Sequence, residues 1–335
     1  MRVLLIGHSY VADRQARFES ELRRQLEAQG GELLSLFPAV WGRHVRRGGW
    51  FVEKPGDILN WRLPTDAWRT AERFGPTVCL IQNEAYHQVT ADATTWCTTR
   101  RIPYVTFSWE NGGIHETLVS RAQANFRLAA QNVFGNTDAK NLGIANGADP
   151  KTATILPQVG IDFDAFHPRP DDAAPEFDLG FFGRGNDPMK GKTDLMSAIN
   201  GQGWTLLNGD GQGLSDYPDM PKDRYWRVRV TCVPSKDVPG FAREQFAPAV
   251  TIESLACGVP VVATNQSAIM EWGRGAPAIW FAEQGDIEDL RRHLREVLDG
   301  PGKYLGVEGR KWAEPRFSNP AVAAAYMRVL GAASS

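Results

Sequence analysis

The chain has 335 residues, enough for two domains of ordinary size, and its 42% apolar and 23% charged residues are ordinary for a folded protein. Thirty-seven basic residues stand against 39 acidic ones, a formal charge of −2, so no global basic field exists to hold nucleic acid or an anionic membrane. No run approaches the roughly 20 apolar residues that span a bilayer. The apolar stretch from Met1 to Gly7 is shorter than the apolar region of a signal peptide. The expectation is a cytoplasmic protein, with peripheral membrane contact left open. Cys79, Cys97, Cys232 and Cys257 show neither metal-ligand nor disulfide spacing and read as buried thiols in a reducing compartment.

Along the first half, strands and helices alternate. Val3–Ile6 predicts a buried strand, and Phe18, Leu22 and Leu26 predict a helix over Ala16–Ala28 that Gly30 and Gly31 close. A strand at Leu33–Phe37 follows. Residues 38–65 have no period and read as irregular; they hold Trp41, Trp50 and Trp61, with Trp68 just beyond, among Arg43, Arg46, Arg47, Lys54 and Arg62. Two readings of these rings stay open, burial under a long loop or a stacking surface for an acceptor. Further strands are expected at Thr77–Gln82, Tyr104–Ser108, Asn132–Gly135 and Ala153–Pro157, with helices near 89–100 and 115–131 and a short one before the last strand. The second half repeats the scheme. Strands are expected at Phe177–Phe182, Trp204–Leu207, Val228–Val233, Val259–Ala263 and Ala278–Phe281, and helices at 190–200, Ala249–Ala256, Asp286–Leu298 and Asn319–Leu330. His167–Glu176 carries three prolines in ten residues and reads as a linker. The fold class is therefore α/β, two Rossmann-like, doubly wound parallel sheets expected to face across a cleft. The expected division is 1–165, a linker 166–176, a second domain 177–316, and a final helix 317–335 able to pack back on the first domain.

Four segments could carry chemistry. Phe181–Lys192 is a strand end, a glycine-rich loop and a helix start; Gly183 admits a close backbone approach, and Arg184 and Lys190 could neutralise a diphosphate. A solvated basic turn is the bland alternative. Gly209 and Asp210 form a turn after the next strand. Glu253 opens Glu-Ser-Leu-Ala-Cys-Gly-Val-Pro-Val-Val-Ala-Thr, a helix stopped by Gly258 and Pro260 before a strand, and an acid there can hold ribose hydroxyls. In the first half, Gly7 and His8, Glu84, and Trp109, Glu110 and Asn111 each follow a strand and suit a sugar; a lone histidine is more often structural, and Glu110 could instead cap a helix.

Taken in order, these elements resemble the retaining GT-B glycosyltransferases of the family 4 type, over about residues 133–318. The family's Gly-Arg…Lys-Gly element is matched by Gly183, Arg184 and Lys190, with one extra residue in the gap, so Lys192 is a rival contact. Its Gly-Asp-Gly turn is matched at 209–211, its hinge by Pro157–Pro168, and its Pro-Ser…Glu-Gly-Phe-Gly…Glu element by Pro234-Ser235, Glu244, Gln245, Phe246, Ala247 and Glu253. Glu244 and Glu253 are nine apart where the family's acids are eight apart, so an insertion near 247–249 is favoured over replacement by Gln245.

The resemblance implies a metal-independent enzyme without cofactor that moves a hexose from a UDP- or GDP-sugar to a small-molecule, glycan or lipid-linked acceptor. It makes Arg184, Lys190 and Glu244 the catalytic set. Gly7, Gly183, Gly209, Asp210, Gln245, Phe246, Ala247 and Glu253 would line the donor, and His8, Glu84, Trp109, Glu110 and Asn111 the acceptor. Two rivals are a nucleotide-sugar epimerase, drawing its acid and base from His8, Glu84 and Glu110, and a non-catalytic sugar-nucleotide binder. Base, sugar, acceptor and oligomeric state are not legible.

Overall fold

A computed structural model describes residues 1–7, 12–36, 59–170, 174–209, 219–239, 249–300 and 305–335. Strand and helix alternate from the start: β1 (Arg2–Ile6), α1 (Ala12–Glu27), β2 (Glu32–Leu36), α2 (Thr65–Phe74), β3 (Val78–Ile81), α3 (Gln88–Arg100), β4 (Tyr104–Ser108), α4 (Glu116–Arg127), β5 (Gln131–Phe134), α5 (Thr137–Ala145) and β6 (Ala153–Ile155). The strands form one parallel sheet in the order β2-β1-β3-β4-β5-β6. Side chains alternate across its faces. Val3 and Leu5 join Val105, Phe107 and the α1 residues Phe18, Leu22 and Leu26 on one side. Leu4 and Ile6 meet Ala67 and Ala71 of α2, and Val89, Ala93 and Cys97 of α3, on the other. Burial on both faces is why these strands read as continuous apolar runs.

The second series is β7 (Phe177–Phe181), α6 (Lys192–Ile199), β8 (Leu206–Asn208), α7 (Met220–Asp223), β9 (Val228–Val233), α8 (Ala249–Ala256), β10 (Val261–Thr264), α9 (Ser267–Gly273), β11 (Ile279–Ala282), α10 (Ile287–Asp299), α11 (Gly306–Phe317) and α12 (Asn319–Ser334). Its parallel sheet runs β11-β10-β9-β7-β8. One face packs on α6 and α10 through Leu195, Ala198, Leu290, Leu294 and Val297. The other packs on α8 and α11 through Ile252, Leu255, Ala313 and Phe317.

The chain divides into two compact units, Met1–Gly160 with Val322–Ser335, and Ile161–Ala321. Ile161, Phe163 and Phe166 belong to the second unit's core. Arg310 ties that segment down, donating to the Phe163 carbonyl at 2.9 Å and to the Phe166 carbonyl at 2.6 Å, and also to the Ala256 carbonyl at the end of α8. Entry and exit of the unit are stitched together, since the Ile161 amide donates to Phe317 O at 2.8 Å and the Asn319 amide to Ile161 O at 3.0 Å. Most of α12 packs on the first sheet, with Val322, Ala323, Tyr326 and Leu330 buried beside α1.

The structure differs from the sequence reading in several elements. Helices α2, α7, α9 and α11 were not anticipated. α11 carries Gly306, Gly309 and Pro315, a composition with low helix propensity. Packing overrides it: a Cβ at Gly309 would lie 2.8 Å from Ala278 and one at Gly306 1.7 Å from Gly258 O, so small residues let α11 lie close to the end of α8. The helix expected over 115–131 ends at Arg127, and β5 already begins at Gln131. The strand expected at Val259–Ala263 starts two residues later, after Gly258 takes φ +70 beyond the helix.

Candidate functional site

Open parallel sheets bind ligands at the carboxyl ends of the strands, where the strand order reverses. In the second unit that point lies between β7 and β9. β7 leads directly into Phe182, Gly183 and Arg184, and a Cβ at Gly183 would fall 2.9 Å from the Phe181 ring and 3.3 Å from Lys190 Cβ. Asp187 organises the loop: its Oδ1 accepts from the Met189 amide at 3.1 Å and its Oδ2 from Arg184 Nη2 at 2.8 Å. The Arg184 side chain is 71% exposed, so this ion pair is weak and its guanidinium can turn to another anion. Pro188–Lys190 form a single 3-10 turn, and Gly191 follows at φ +67. A side chain there is excluded twice, because its Cβ would lie 1.8 Å from Pro234 O, the backbone after β9. Lys190 closes the turn and Lys192 opens α6, both half-buried on either side of Gly191.

Lys236, which sequence reasoning missed, reaches from the end of β9 to this turn. Its amide donates to Met189 O at 2.8 Å and its Nζ to both Asp194 oxygens at 2.8 Å, which neutralises the acid in the first turn of α6. Gly209 follows β8, donates to Phe181 O at 2.8 Å, and has the Phe182 ring where a Cβ would stand. Glu253, in the middle of α8, is 0% exposed, and its Oε2 accepts from the Tyr225 hydroxyl at 2.7 Å. Tyr225 is also fully buried and meets the Phe182 ring edge-on at 5.1 Å. Phe182 and Tyr225 thus bring Gly183, Gly209 and Glu253 into one neighbourhood. No spacing could have pointed to Tyr225, which is joined to Glu253 only by the fold.

In the first unit the order reverses between β1 and β3. Gly7 ends β1 there, and Asn83 after β3 donates from Nδ2 to Ile6 O at 3.2 Å and to Gly7 O at 3.4 Å. Glu84 is buried; one oxygen accepts from the Ser108 hydroxyl and the other from the Trp109 amide at 2.9 Å. Burial pushes its carboxyl up to about 8, aided by the nearby Glu110 charge and opposed by these hydrogen bonds. Glu110 answers in the opposite direction, with Oε2 accepting from the Tyr86 hydroxyl at 3.1 Å and Oε1 from the Gly112 amide at 2.8 Å. Glu110 does not cap α4, whose N-terminus is capped by His115. The half-buried Trp109 ring packs 5.6 Å from Phe107, and Asn111 is also half-buried.

His8, Asp210, Glu244, Gln245, Phe246 and Ala247 lie outside the described residues, as do Trp41, Trp50 and Arg47. Of the tryptophan-rich segment, Trp61 is 5% exposed in the core, and Trp68 packs 5.6 Å from Trp96, which assigns these two rings to packing rather than to a stacking surface. All four cysteines are buried, and burial raises the thiols of Cys79, Cys232 and Cys257 well above their ordinary value. Among the described residues no group of His, Cys, Asp and Glu is arranged to hold a metal ion, and no helix is long and apolar enough to cross a membrane.

No protein-family model and no curated protein matches the chain. Solved structures match it in fold. HepE (Alr3699) of Anabaena, crystallised with UDP and glucose, is similar over 99% of both chains with a TM-score of 0.74 at 15% identity. Sucrose-phosphate synthase of Thermosynechococcus elongatus is similar over 98% of both chains, with a TM-score of 0.69 at 15% identity. A candidate UDP-N-acetylglucosamine 2-epimerase of Listeria monocytogenes matches 97% of this chain and 94% of its own, with a TM-score of 0.57 at 13% identity. At such identities the likeness is one of fold. The chain has two parallel-sheet α/β domains of the GT-B glycosyltransferase architecture.

Proposed function

We propose that the chain is a glycosyltransferase that moves a hexose from a nucleoside-diphosphate sugar to an acceptor hydroxyl, with retention of anomeric configuration and without a metal ion. The observation that carries this reading is the turn between β7 and α6. It sets Arg184, Lys190 and Lys192 around Gly183 and Gly191 at the reversal point of the second sheet, with Asp194 already neutralised by Lys236. Cations at a diphosphate stabilise the charge that develops as the sugar–phosphate bond breaks. Glu253, its carboxylate oriented by Tyr225, is the candidate for the ribose hydroxyls. Glu244 is kept as the contact to the donor sugar. HepE structures contain UDP and UDP-glucose, so a uridine donor is the first to try, with GDP-sugars next.

In a same-face displacement the acceptor oxygen bonds to the anomeric carbon, the bond to the leaving phosphate breaks, and the acceptor proton passes to that phosphate. No dedicated base is then required. Glu84 fits such a scheme, since burial pushes its carboxyl up to about 8 and so favours the neutral form near neutral pH. Melting shifts with UDP, GDP and ADP test the donor, because bound ligand raises stability as RT ln(1 + [L]/Kd). Transfer assays with and without chelator, and NMR of the product anomer, test the rest. No shift with any of the three would defeat the reading, an inverted product would defeat retention, and loss of transfer on chelation would defeat metal independence.

The epimerase likeness favours a second reading on the same fold. UDP-sugars incubated without acceptor separate the two. An epimerase converts them, and a transferase at most hydrolyses them slowly.

A further inference from the structure

Two strand ends of the first unit are braced to each other by a pair of carboxyl side chains running in opposite directions. Glu84, after β3, reaches across to the end of β4, where it takes the Ser108 hydroxyl and the Trp109 amide. Glu110, after β4, reaches back to the Tyr86 hydroxyl at 3.1 Å. The β3 side is itself anchored from below: Thr90 Oγ1 donates to Glu84 O at 2.8 Å, Asn125 Nδ2 to Ala85 O at 2.6 Å, and Arg121 Nη1 to Tyr86 O at 3.0 Å. The β4 side continues as Trp109, Glu110 and Asn111, which are half-buried, and then Gly112 and Gly113, which are exposed. Gly113 has φ +123, a conformation that favours glycine, and nothing lies within 4 Å of a Cβ position there. Glu84 thus grips both the Ser108 side chain and the backbone at the start of the 109–111 turn, beside the Trp109–Phe107 ring contact and the Glu110 bonds to Tyr86 and Gly112.

We infer that Glu84 is a positioning residue: its carboxyl does not meet the acceptor but holds the Trp109–Asn111 turn in the shape that does. The inference rests on the glycosyltransferase reading and refines it, since it moves Glu84 out of the acceptor contacts and leaves those to Trp109 and Asn111. One Glu84 oxygen is taken by the Ser108 hydroxyl and the other by the Trp109 amide, so its carboxyl is committed to the turn itself. As a carboxylate it accepts from both groups; as the neutral acid its hydroxyl donates to Ser108 Oγ while the other oxygen still accepts from the Trp109 amide, so the brace holds in either form. A glutamine in its place has the same disposition, with its amide nitrogen toward Ser108 and its oxygen toward the Trp109 amide. Of the groups facing Glu84, the Glu110 charge disfavours a second negative charge, whereas the Ser108 hydroxyl and the Trp109 and Glu110 amides favour it; His87 lies beside Tyr86 at 5.0 Å between ring centroids and Arg121 on the Tyr86 carbonyl.

The test compares wild type, Glu84→Gln and Glu84→Ala. Hydrogen exchange of the peptide spanning 108–113 reads the brace without any activity. Transfer from UDP-glucose to the best acceptor of a panel of methyl glycosides reads its consequence. Expected for Glu84→Ala are faster exchange in 108–113 and an acceptor KM raised about tenfold, the scale of one positioned hydrogen bond, with UDP affinity unchanged. Glu84→Gln, which keeps an oxygen for the Trp109 amide and a polar group for Ser108, should restore both. Unchanged exchange in Glu84→Ala overturns the brace. Faster exchange with an unchanged acceptor KM reduces Glu84 to a structural residue and overturns the positioning role. A glutamine variant as impaired as the alanine one shows that Glu84 acts as an ionised group and overturns the inference as well. Should the wild-type chain transfer nothing, the glycosyltransferase reading falls and the positioning role falls with it; should transfer occur and exchange stay unchanged, only the inference falls.

Discussion

Three side chains show how burial decides what a charged or polar group can do. Arg184 is exposed and only loosely held by Asp187, so its removal should leave the fold intact. Arg184→Ala is expected to cost about 2–4 kcal/mol of transition-state stabilisation, the scale of one preorganised charge-stabilising donor. The check is kcat/KM, and turnover within about threefold of wild type removes Arg184 from the site. Tyr225 is the reverse case, with its hydroxyl sealed against Glu253. Tyr225→Phe leaves a buried acceptor short of a donor, which costs roughly 1–3 kcal/mol of stability. If Glu253 holds ribose, the same variant weakens UDP binding by calorimetry, and unchanged affinity would argue against that role. Glu84 carries a pH signature. Its folded value of about 8 lies above the ordinary 4.5, so between those limits the folded state keeps a proton that the unfolded chain has lost. By linkage its contribution to stability is lost as pH rises through that window, at up to roughly 1.4 kcal/mol per pH unit. Urea midpoints of wild type and Glu84→Gln should therefore diverge from pH 5 to about 8 and run parallel above it; parallel curves throughout would mean an ordinary carboxyl.

At the scale of elements, the turn from β7 into α6 is shaped by glycine and read by lysine. Gly191 combines a left-handed φ of +67 with a Cβ position 1.8 Å from Pro234 O. Gly191→Ala must either strain the turn or push the β9 loop away, which costs more than about 1 kcal/mol and separates Lys190 from the strand ends. Thermal melting together with UDP titration checks this, with losses in both expected. Lys190→Ala and Lys192→Ala, measured side by side, assign the phosphate contact to the variant with the larger loss of turnover. Lys190 ends a turn held by Asp187 and Lys192 begins a helix, so the two differ in how firmly the backbone presents them.

At the scale of the molecule, the last helix completes the first unit with residues from the far end of the chain. Tyr326 is fully buried, edge-on to Phe18 at 5.4 Å, on a face that also buries Val322, Ala323 and Leu330. Tyr326→Ala should cost about 3–5 kcal/mol, as for other large aromatic residues cut back to alanine in a core. A chain ending at 318 would expose the part of that face that α12 covers beside α1. It should bind a hydrophobic dye and melt lower, while the second unit keeps its own core of Ile252, Leu255, Ala313 and Phe317. Wild-type melting in the truncated chain would show that the first unit stands without α12.

Period and punctuation in the sequence determine the two parallel sheets, because apolar runs buried on both faces and helices with a four-residue apolar spacing leave few other arrangements. They also determine where glycine-rich turns follow strands, and hence Gly7, Gly183, Arg184, Lys190 and Gly209 as candidates. Helix α11 was not legible, because its glycines and Pro315 oppose a helix locally and only packing against α8 makes them useful. Tyr225 on Glu253, Lys236 on Asp194 and Glu84 on Trp109 were not legible either, since each pair is 25 or more residues apart and has no periodic signature. Local sequence specifies backbone conformation and which face is apolar. Which polar group is sealed, which is neutral and which stays able to meet a ligand depends on desolvation and long-range partners, and those exist only once the chain has folded.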